Sequence, residues 1–196
     1  MSHYYTKNND KLSSQEKDIF FKIKDEKFHF ITDNGVFSKS GLDFGSRLLL
    51  EVIVNINKDS MLDLGCGYGP IGIVYKYFNP KSEVTMTDIN VRATSLAEKN
   101  AKNNNLKINV LNGDGFESIK STFDIIITNP PIRTGKENIY NFFEQSIDFL
   151  NDFGELYYVM HKKHGVSSAI KKCKEIFSNV EVVCKKSGYH IVKCRK

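Results

Sequence analysis

Strand and helix patterns alternate along most of this 196-residue chain, and few folds accommodate such an alternation. The segments that we predict as strands are 60–64, 83–87, 107–111, 123–128 and 156–160. The segments that we predict as helices are 42–55, 70–77, 91–103, 138–150 and 166–177. Two closing strands, 180–184 and 189–194, flank a Lys-Lys-Ser-Gly turn. This order predicts an α/β fold with a seven-stranded, mainly parallel sheet, helices on both faces and an antiparallel C-terminal hairpin at one edge.

The first part of the chain has a different pattern. Residues 1–17 are polar, and we expect them to be loosely held. Further along, 28–32 and 36–38 are apolar stretches on either side of Asp33-Asn34-Gly35, a turn signal, so a β-hairpin is predicted there. The length suits one domain with a small addition. We therefore divide the chain into 1–40, a polar segment and hairpin packed on the domain, and 41–196, the main domain.

Targeting signals and metal-binding spacings are absent from the sequence. The polar start lacks the apolar core of a signal peptide, and no apolar run is long enough to span a bilayer. We expect a cytoplasmic protein without a membrane partner. The cysteines, which form no CxxC pair, are expected to be reduced and to bind no metal, although Cys184 and Cys194 could face each other on the closing hairpin.

Charge is concentrated at the C-terminal end. The formal net charge is +5, yet residues 162–196 alone hold ten Lys or Arg and two acidic residues. A basic region on a near-neutral body suggests a polyanionic partner, because contacts with phosphates release counterions. A solvated, lysine-rich surface would give the same count, and charge alone does not separate the two interpretations.

A glycine-rich segment, Asp63-Leu64-Gly65-Cys66-Gly67-Tyr68-Gly69-Pro70, connects a predicted strand to a predicted helix. Glycines at such a turn allow a tight bend and let the backbone approach a ligand closely. Nicotinamide and flavin enzymes use similar turns, and a turn without a ligand is a further alternative.

Two aspartates follow the next two strands. Asp88 ends the second strand, where its carboxylate can accept both hydroxyls of a ribose or can cap the following helix. Asp114, in Asn112-Gly113-Asp114-Gly115, can accept from an adenine amino group or can belong to an ordinary Asp-Gly turn. Because the carboxyl ends of parallel strands share one sheet edge, these residues together predict an adenosine site.

The most specific motif is Asn129-Pro130-Pro131-Ile132, which begins where the buried strand 123–128 ends. The prolines make this turn rigid, so that the Asn129 amide and the Pro130 carbonyl become fixed acceptors at the ligand edge. An exocyclic amine is a poor nucleophile because its lone pair is conjugated with the ring. Two acceptors on its N–H groups would direct that lone pair towards a methyl donor, chiefly by alignment and a preorganised electrostatic environment.

The order Asp63-x-Gly65-x-Gly67-x-Gly69, Asp88, Asp114 and Asn129-Pro130-Pro131 resembles class I S-adenosylmethionine-dependent methyltransferases that act on amino groups and have a Rossmann-like fold. Residues 35–50 are similar to the upstream motif of the small-domain (MTS) branch, which includes RsmC-type enzymes that methylate guanine N2 in small-subunit ribosomal RNA. Residues 129–136 resemble the short, one-domain YbxB-like members. The resemblance spans about 28–196.

The resemblance implies roles for individual residues. The side of the cofactor that carries methionine would be held by Asp63, Gly65, Cys66, Gly67 and Gly69. Asp88 would bind the ribose, with Ile89 also among the cofactor-binding residues, and Asp114 and Gly115 would bind the adenine. Asn129 would bind the target amine, and the catalytic residues would be Asn129, Pro130, Pro131 and Ile132. Asn129 and Ser46 are also expected among the cofactor-binding residues, and Ser46 would lie with Phe37, Asp43 and Gly45 near the methionine moiety or over the pocket.

These roles predict methyl transfer from S-adenosylmethionine to guanine N2 of small-subunit ribosomal RNA, with the RNA or the small subunit as partner. Lys136 and the C-terminal lysines would contact phosphates. Three alternatives are an N-methyltransferase acting on adenine N6 or a protein glutamine amide, a non-catalytic RNA-binding or ribosome assembly factor, and a nicotinamide-dependent oxidoreductase. Ile132 stands where the adenine and glutamine enzymes usually have Tyr or Phe, so it does not support those two acceptors. RsmC-type enzymes also usually have an aromatic residue there, and Ile132 points to the short one-domain members. The basic C-terminal region favours RNA over a protein substrate.

Overall fold

A central seven-stranded sheet organises the chain, whose computed structural model describes residues 6–7 and 12–196. Its strands are β3 (Ser60–Leu64), β4 (Glu83–Asp88), β5 (Asn109–Asn112), β6 (Phe123–Thr128), β7 (Leu150–His161), β8 (Asn179–Lys186) and β9 (Tyr189–Arg195). The helices are α1 (Phe44–Ile53), α2 (Pro70–Phe78), α3 (Val91–Asn103), α4 (Lys136–Phe149) and α5 (Val166–Ile176). The strand order β5-β4-β3-β6-β7-β9-β8 confirms the predicted fold, with β9 antiparallel to both β7 and β8.

The strand order reverses beside β3, which pairs in parallel with β4 on one side and β6 on the other. The chain therefore leaves β3, β4 and β6 at the same sheet edge, with Leu64 level with Thr87 and Thr128. Open α/β sheets bind ligands at such a switch point, outside the carboxyl ends of the strands.

Two apolar cores lie on the two faces of the sheet. Alternate residues of a strand point to opposite faces, so Met61 and Ile125 enter one core while Leu62 and Ile126 enter the other. The first core is covered by α1, α2, α3 and the N-terminal hairpin, and the second by α4 and α5.

The N-terminal hairpin lies earlier in the chain than predicted. Its strands are β1 (Lys17–Ile23) and β2 (Glu26–Thr32), which pair from Lys17 opposite Thr32 to Ile23 opposite Glu26. The chain does turn at Asn34 and Gly35, but residues 36–38 form no strand, so the prediction of a hairpin around that turn was wrong. The sequence did contain a signal, since the apolar residues Ile19, Phe21 and Ile23 recur at every second position, and they are buried.

The Asp33 carboxylate holds the segment that precedes β1 instead of closing a hairpin turn. Its carboxylate accepts hydrogen bonds from Ser14 Oγ at 2.7 Å and from the Gln15 N–H at 2.5 Å, and it lies 3.7 Å from Arg92. These contacts lower the pKa of Asp33 against the opposing effect of burial. Of the start that was expected to be loose, Ser14 and Gln15 are thus hydrogen-bonded to Asp33, while 1–5 and 8–11 lie outside the described residues.

Asn100, which is fully buried in α3, joins the hairpin to the main sheet. Its amide accepts from the Ile31 N–H at 2.7 Å and donates to the Ile31 carbonyl at 2.8 Å. The same Nδ2 donates to the Tyr68 carbonyl at 2.9 Å, within the glycine-rich segment. The hairpin thus packs on the helices that support the ligand edge, and the division at residue 40 stays a prediction.

Two further expectations about the C-terminal half need correction. β7 begins at Leu150 rather than 156, because Leu150 pairs with Phe123 ahead of a register shift that brings Glu155 opposite Ile125. Cys184 and Cys194 do not face each other, since Cys184 lies opposite Ile191 and packs against the first core, whereas Cys194 lies in the second. The four cysteines are free thiols. Over the described ranges, every helix is too short or too polar to cross a bilayer.

Candidate active site

A cavity of about 680 Å³ opens at the carboxyl edge of the sheet, where the strand order reverses. This volume lies within the usual range for sites that bind small molecules. Its wall is built from the segments that follow β3, β4, β5 and β6, together with the starts of α1 and β9. The cavity therefore brings together most of the residues that the sequence singled out.

The glycine-rich segment forms one wall through its backbone. The N–H groups of Gly65 and Cys66 both donate to the Thr87 carbonyl at 2.9 Å, which fixes the segment against β4. Gly65 and Gly67 have positive φ values of 75° and 57°, and a Cβ added to either would meet nothing within 4 Å. The backbone there is open to close approach by a ligand. Cys66 lines the same wall, and burial raises the pKa of its thiol, with Asp88 and Asp63 adding to the effect.

Asp88 lies beside that wall at the end of β4. Its two carboxylate oxygens accept from the Gly67 N–H at 2.8 Å and from the Asn90 N–H at 2.9 Å. Burial raises the pKa of Asp88, and these two N–H groups oppose the rise. Because an ionised carboxylate can accept about four hydrogen bonds, the side chain still has capacity for ligand hydroxyls. Its neighbour Ile89 also lines the cavity.

Asp63 lies behind the wall rather than in it. The side chain is completely buried, and Oδ2 accepts from the Gly72 N–H in α2 at 2.8 Å, while Oδ1 has no partner among the described residues. Burial raises its pKa to about 7, with the charge of Asp88 adding and the Gly72 N–H opposing. Asp63 and Gly69 do not line the cavity, so any effect of theirs on a ligand passes through the segment between them.

The segment after β5 closes the far end of the cavity. Asp114 is exposed and lines the wall, and Gly115 follows with a positive φ of 53°. A Cβ added to Gly115 would lie 2.9 Å from Phe142 Cε1, so the ring of Phe142 packs directly on this glycine. A carboxylate beside an aromatic wall suits a flat ring that carries an amino group.

Asn129, at the end of β6, has its amide held by α1. Its Nδ2 donates to Ser46 Oγ at 3.0 Å and to Asp43 Oδ1 at 3.4 Å. Asp43 is also the N-cap of α1, where the same Oδ1 accepts from the Ser46 N–H at 3.0 Å. These bonds occupy the donor side of the amide, so its Oδ1 acceptor is the atom left for a ligand.

Pro130, Pro131 and Ile132 continue the cavity wall after Asn129. The Pro131 carbonyl accepts from both the N–H and the Oγ1 of Thr134, at 3.0 and 2.8 Å, which closes a tight turn before α4. The rigidity predicted from the prolines thus has an added cause, the Thr134 contacts.

Part of the cavity wall is formed by residues that were not predicted from the sequence. Tyr189 and His164 line the cavity from the C-terminal region, and Asn138, Asn141 and Gln145 line it from α4. Tyr189 follows the closing turn directly, so its place at the carboxyl edge could have been inferred from the hairpin. The pairing of Ser46 with Asn129 left no sequence signal, since it depends on how α1 packs.

The family model described as the methyltransferase small domain matches residues 27–193, nearly the whole chain. The chain belongs to the methyltransferase small domain family. This membership confirms the resemblance that the motifs suggested.

Two relatives show how far the likeness extends. The chain is 40% identical to the uncharacterized protein YbxB of Bacillus subtilis over 200 residues, which cover all of both chains. It is 42% identical over 126 residues to ribosomal RNA small subunit methyltransferase C of Haemophilus influenzae. That match covers 62% of this chain and 38% of the relative, so the likeness concerns only part of the longer protein.

A solved structure has the same fold. The T. thermophilus 16S rRNA N2 methyltransferase RsmC, in complex with AdoMet and guanosine, superposes with a TM-score of 0.84 at 24% identity. The match covers 94% of this chain and 52% of that one.

Proposed function

We propose that this protein transfers the methyl group of S-adenosylmethionine to an exocyclic amino nitrogen, and that the acceptor is guanine N2 in small-subunit ribosomal RNA. The observation that carries the proposal is the Asn129 amide, which Ser46 and Asp43 orient at the edge of the same cavity that holds Asp88. The H. influenzae and T. thermophilus relatives, named as ribosomal RNA methyltransferases, support the choice of RNA.

The cavity suits S-adenosylmethionine at both ends. Gly65 and Gly67 leave the backbone open where the methionine part would lie, and Asp88 would accept the ribose hydroxyls. Asp114 would accept from the adenine amino group beside the ring of Phe142. When bound, S-adenosylmethionine supplies a methyl group whose bond electrons remain on sulfur, so the acceptor nitrogen forms the new bond and releases one proton.

Asn129 would position that nitrogen. With Nδ2 engaged by α1, Oδ1 is free to accept from the amine and to hold its lone pair out of conjugation with the ring. A second acceptor in the motif, the Pro130 carbonyl, would bind the other N–H. The contribution of the protein is then alignment, which can supply a large part of a rate enhancement.

A group of exposed lysines at the carboxyl edge of the sheet, the edge at which the cavity opens, supports a nucleic acid as substrate. This basic rim consists of Lys136, Lys162, Lys163, Lys185 and Lys186, all at the carboxyl edge. Within the described part of the chain none of them forms an ion pair. By contrast, Lys193 and Arg195 pair with Glu155, towards the opposite edge.

The proposal is tested with two variants that separate chemistry from cofactor binding. Asn129→Ala should bind S-adenosylmethionine with normal affinity in calorimetry and lose methyl transfer to small subunits from cells lacking the protein. Asn109→Ala, at an exposed position on the opposite edge, is the matched control and should behave as the wild type. Asp88→Ala should mainly weaken cofactor binding. Unchanged transfer by Asn129→Ala would refute the mechanism.

The substrate is tested by mass spectrometry of ribosomal RNA from cells that lack the protein. The proposal expects one N2-methylguanosine to disappear and to return when the wild-type protein, but not Asn129→Ala, is supplied. A complete set of N2-methylguanosines together with a missing N6-methyladenosine or methylglutamine would identify a different amino acceptor.

A further inference from the structure

Five aromatic side chains line the cavity within the described residues: Phe37, Tyr68, Phe142, His164 and Tyr189. They differ in position. Phe142 packs on Gly115 at the far end, beside Asp114. Tyr68 is only 2% exposed. Ile132, the side chain that directly follows the Asn-Pro-Pro turn, is aliphatic and offers no flat surface beside Asn129.

Tyr189 is tied by short distances to the residues that hold Asn129. A Cβ added to Gly45 would lie 3.1 Å from Tyr189 Cε1 and 3.2 Å from Asp43 Oδ1. Asp43 Oδ1 is in turn 3.4 Å from Asn129 Nδ2. The ring of Tyr189 and the amide that would receive the acceptor amine therefore both lie at the start of α1, around Asp43 and Gly45, and both line the cavity.

The same ring is fixed from two other directions. Its centroid is 5.3 Å from that of Phe44 and 4.8 Å from that of His161, the latter in an edge-to-face arrangement. Gly45, without a side chain, lets the ring pack directly on the start of α1. For Phe37, which is 42% exposed, no ring contact occurs in the part of the chain that the structure describes. A ring that is already held loses little conformational entropy when it stacks on a ligand.

We propose that Tyr189 is the stacking surface for the acceptor nucleobase, an assignment that rests on the proposed function and identifies the site that holds the flat ring beside Asn129. Stacking is tolerant of base identity, since every base has a π-face. Tyr189 would thus supply affinity and the plane of the base, while Asn129 selects the amino group. The closing hairpin, whose turn precedes Tyr189, would form part of the substrate site.

Two substitutions test the need for a ring. Tyr189→Phe keeps the ring and should have a kcat/KM for RNA within about twofold of the wild type. Tyr189→Leu keeps apolar volume without a ring and should lose roughly 10- to 100-fold in kcat/KM, the fold-change expected when one stacked base is lost. The loss should come mainly through KM, with unchanged affinity for S-adenosylmethionine and a thermal midpoint near that of Tyr189→Phe. Equal kcat/KM for the two variants would overturn the assignment.

A direct probe of stacking does not depend on methyl transfer. The chain contains no tryptophan, so Tyr189→Trp introduces the single indole fluorophore. Guanosine added in the presence of S-adenosylhomocysteine should quench its emission. The matched control is Tyr77→Trp, at a position that is 43% exposed and outside the cavity wall, where guanosine should have no such effect.

The two proposals fail in different ways. Quenching of Tyr189→Trp by guanosine in a protein that methylates no RNA would support the stacking site and refute the proposed function. Absence of quenching in a protein whose wild type methylates ribosomal RNA would overturn the stacking site and leave the proposed function standing.

Discussion

Asn129 Nδ2 lies 3.0 Å from Ser46 Oγ, a hydrogen bond between residues 83 positions apart in the sequence. Ser46 belongs to the first turn of α1, whose N-cap, Asp43, accepts from the same amide at 3.4 Å. The start of one helix thereby determines which face of the Asn129 amide is presented to the cavity. Under the proposed function, Ser46, which the sequence assigned to the cofactor, would act as a positioning residue for the acceptor.

Ser46→Ala should reduce kcat without changing the affinity for S-adenosylmethionine. A neutral hydrogen bond contributes about 0.5–1.5 kcal/mol, so a loss of roughly 2- to 10-fold is expected as the amide gains freedom to rotate. Single-turnover methylation and calorimetry on the same preparation would measure both quantities. Ser95→Ala, at an exposed position on α3, is the control. A lower cofactor affinity with normal kcat would instead favour the original assignment of Ser46.

The sequence predicted the core of this fold well because that core depends on local pattern. The bounds of β3, α3 and β6 agree with the predicted 60–64, 91–103 and 123–128, where apolar periodicity is strong and turn residues flank the segment. The N-terminal hairpin was misplaced by the prediction, because Asp-Asn-Gly is a strong turn motif. The actual hairpin turns at Lys24 and Asp25, where no glycine marks the turn. Asp33 is instead held by residues 14 and 15 and by Arg92.

Residues of the candidate site could be predicted from the sequence only where each of them stands at the end of a strand. Asp88, Asp114 and Asn129 could each be located in this way, because parallel strands end at a common edge. The contacts of Asn129 with α1, and the ring of Tyr189 beside Gly45, arise from packing between distant segments. A single sequence carries no periodic or spacing signal for such contacts.

Gly115→Ala should weaken S-adenosylmethionine binding about tenfold. The added Cβ would lie 2.9 Å from Phe142 Cε1, and alanine at a φ of +53° costs roughly 1–2 kcal/mol in addition. Calorimetry should show that Phe142→Leu recovers part of the affinity in the Gly115→Ala background, since leucine lacks the ring edge. Gly41→Ala, at a φ of +147° with nothing within 4 Å, tests backbone strain alone and should leave affinity unchanged.

Asp63 should make the stability of the ligand-free protein depend on pH. Burial raises its pKa from 3.8 to about 7, so between these values the folded state binds a proton that the unfolded state has lost. Its contribution is therefore complete below about pH 4 and is lost as the pH rises through about 7. As the pH is raised from 5 to 8, the free energy of unfolding measured with urea should fall for the wild type relative to Asp63→Asn, whose side chain stays neutral. If the free energy of unfolding changed with pH in the same way for both proteins, the Asp63 carboxyl would not titrate in this range.

Removal of two lysines from the basic rim should reduce the salt dependence of RNA binding. Each phosphate contact contributes about 0.7–0.9 to the slope of log K against log salt. If Lys162 and Lys163 both contact phosphates, the double Ala variant should have a slope smaller in magnitude by roughly 1.4–1.8, measured by filter binding of a ribosomal RNA fragment.

The matched control for that experiment removes the same charge from the same basic region. Lys171 and Lys174 are exposed on α5, in the middle and last turns of the helix, and form no ion pair within the described residues. Since α5 begins at the carboxyl edge and runs back across the sheet, their distance from the cavity mouth should leave the slope nearly unchanged. An equal reduction in both double variants would mean that net charge, rather than the rim, governs binding.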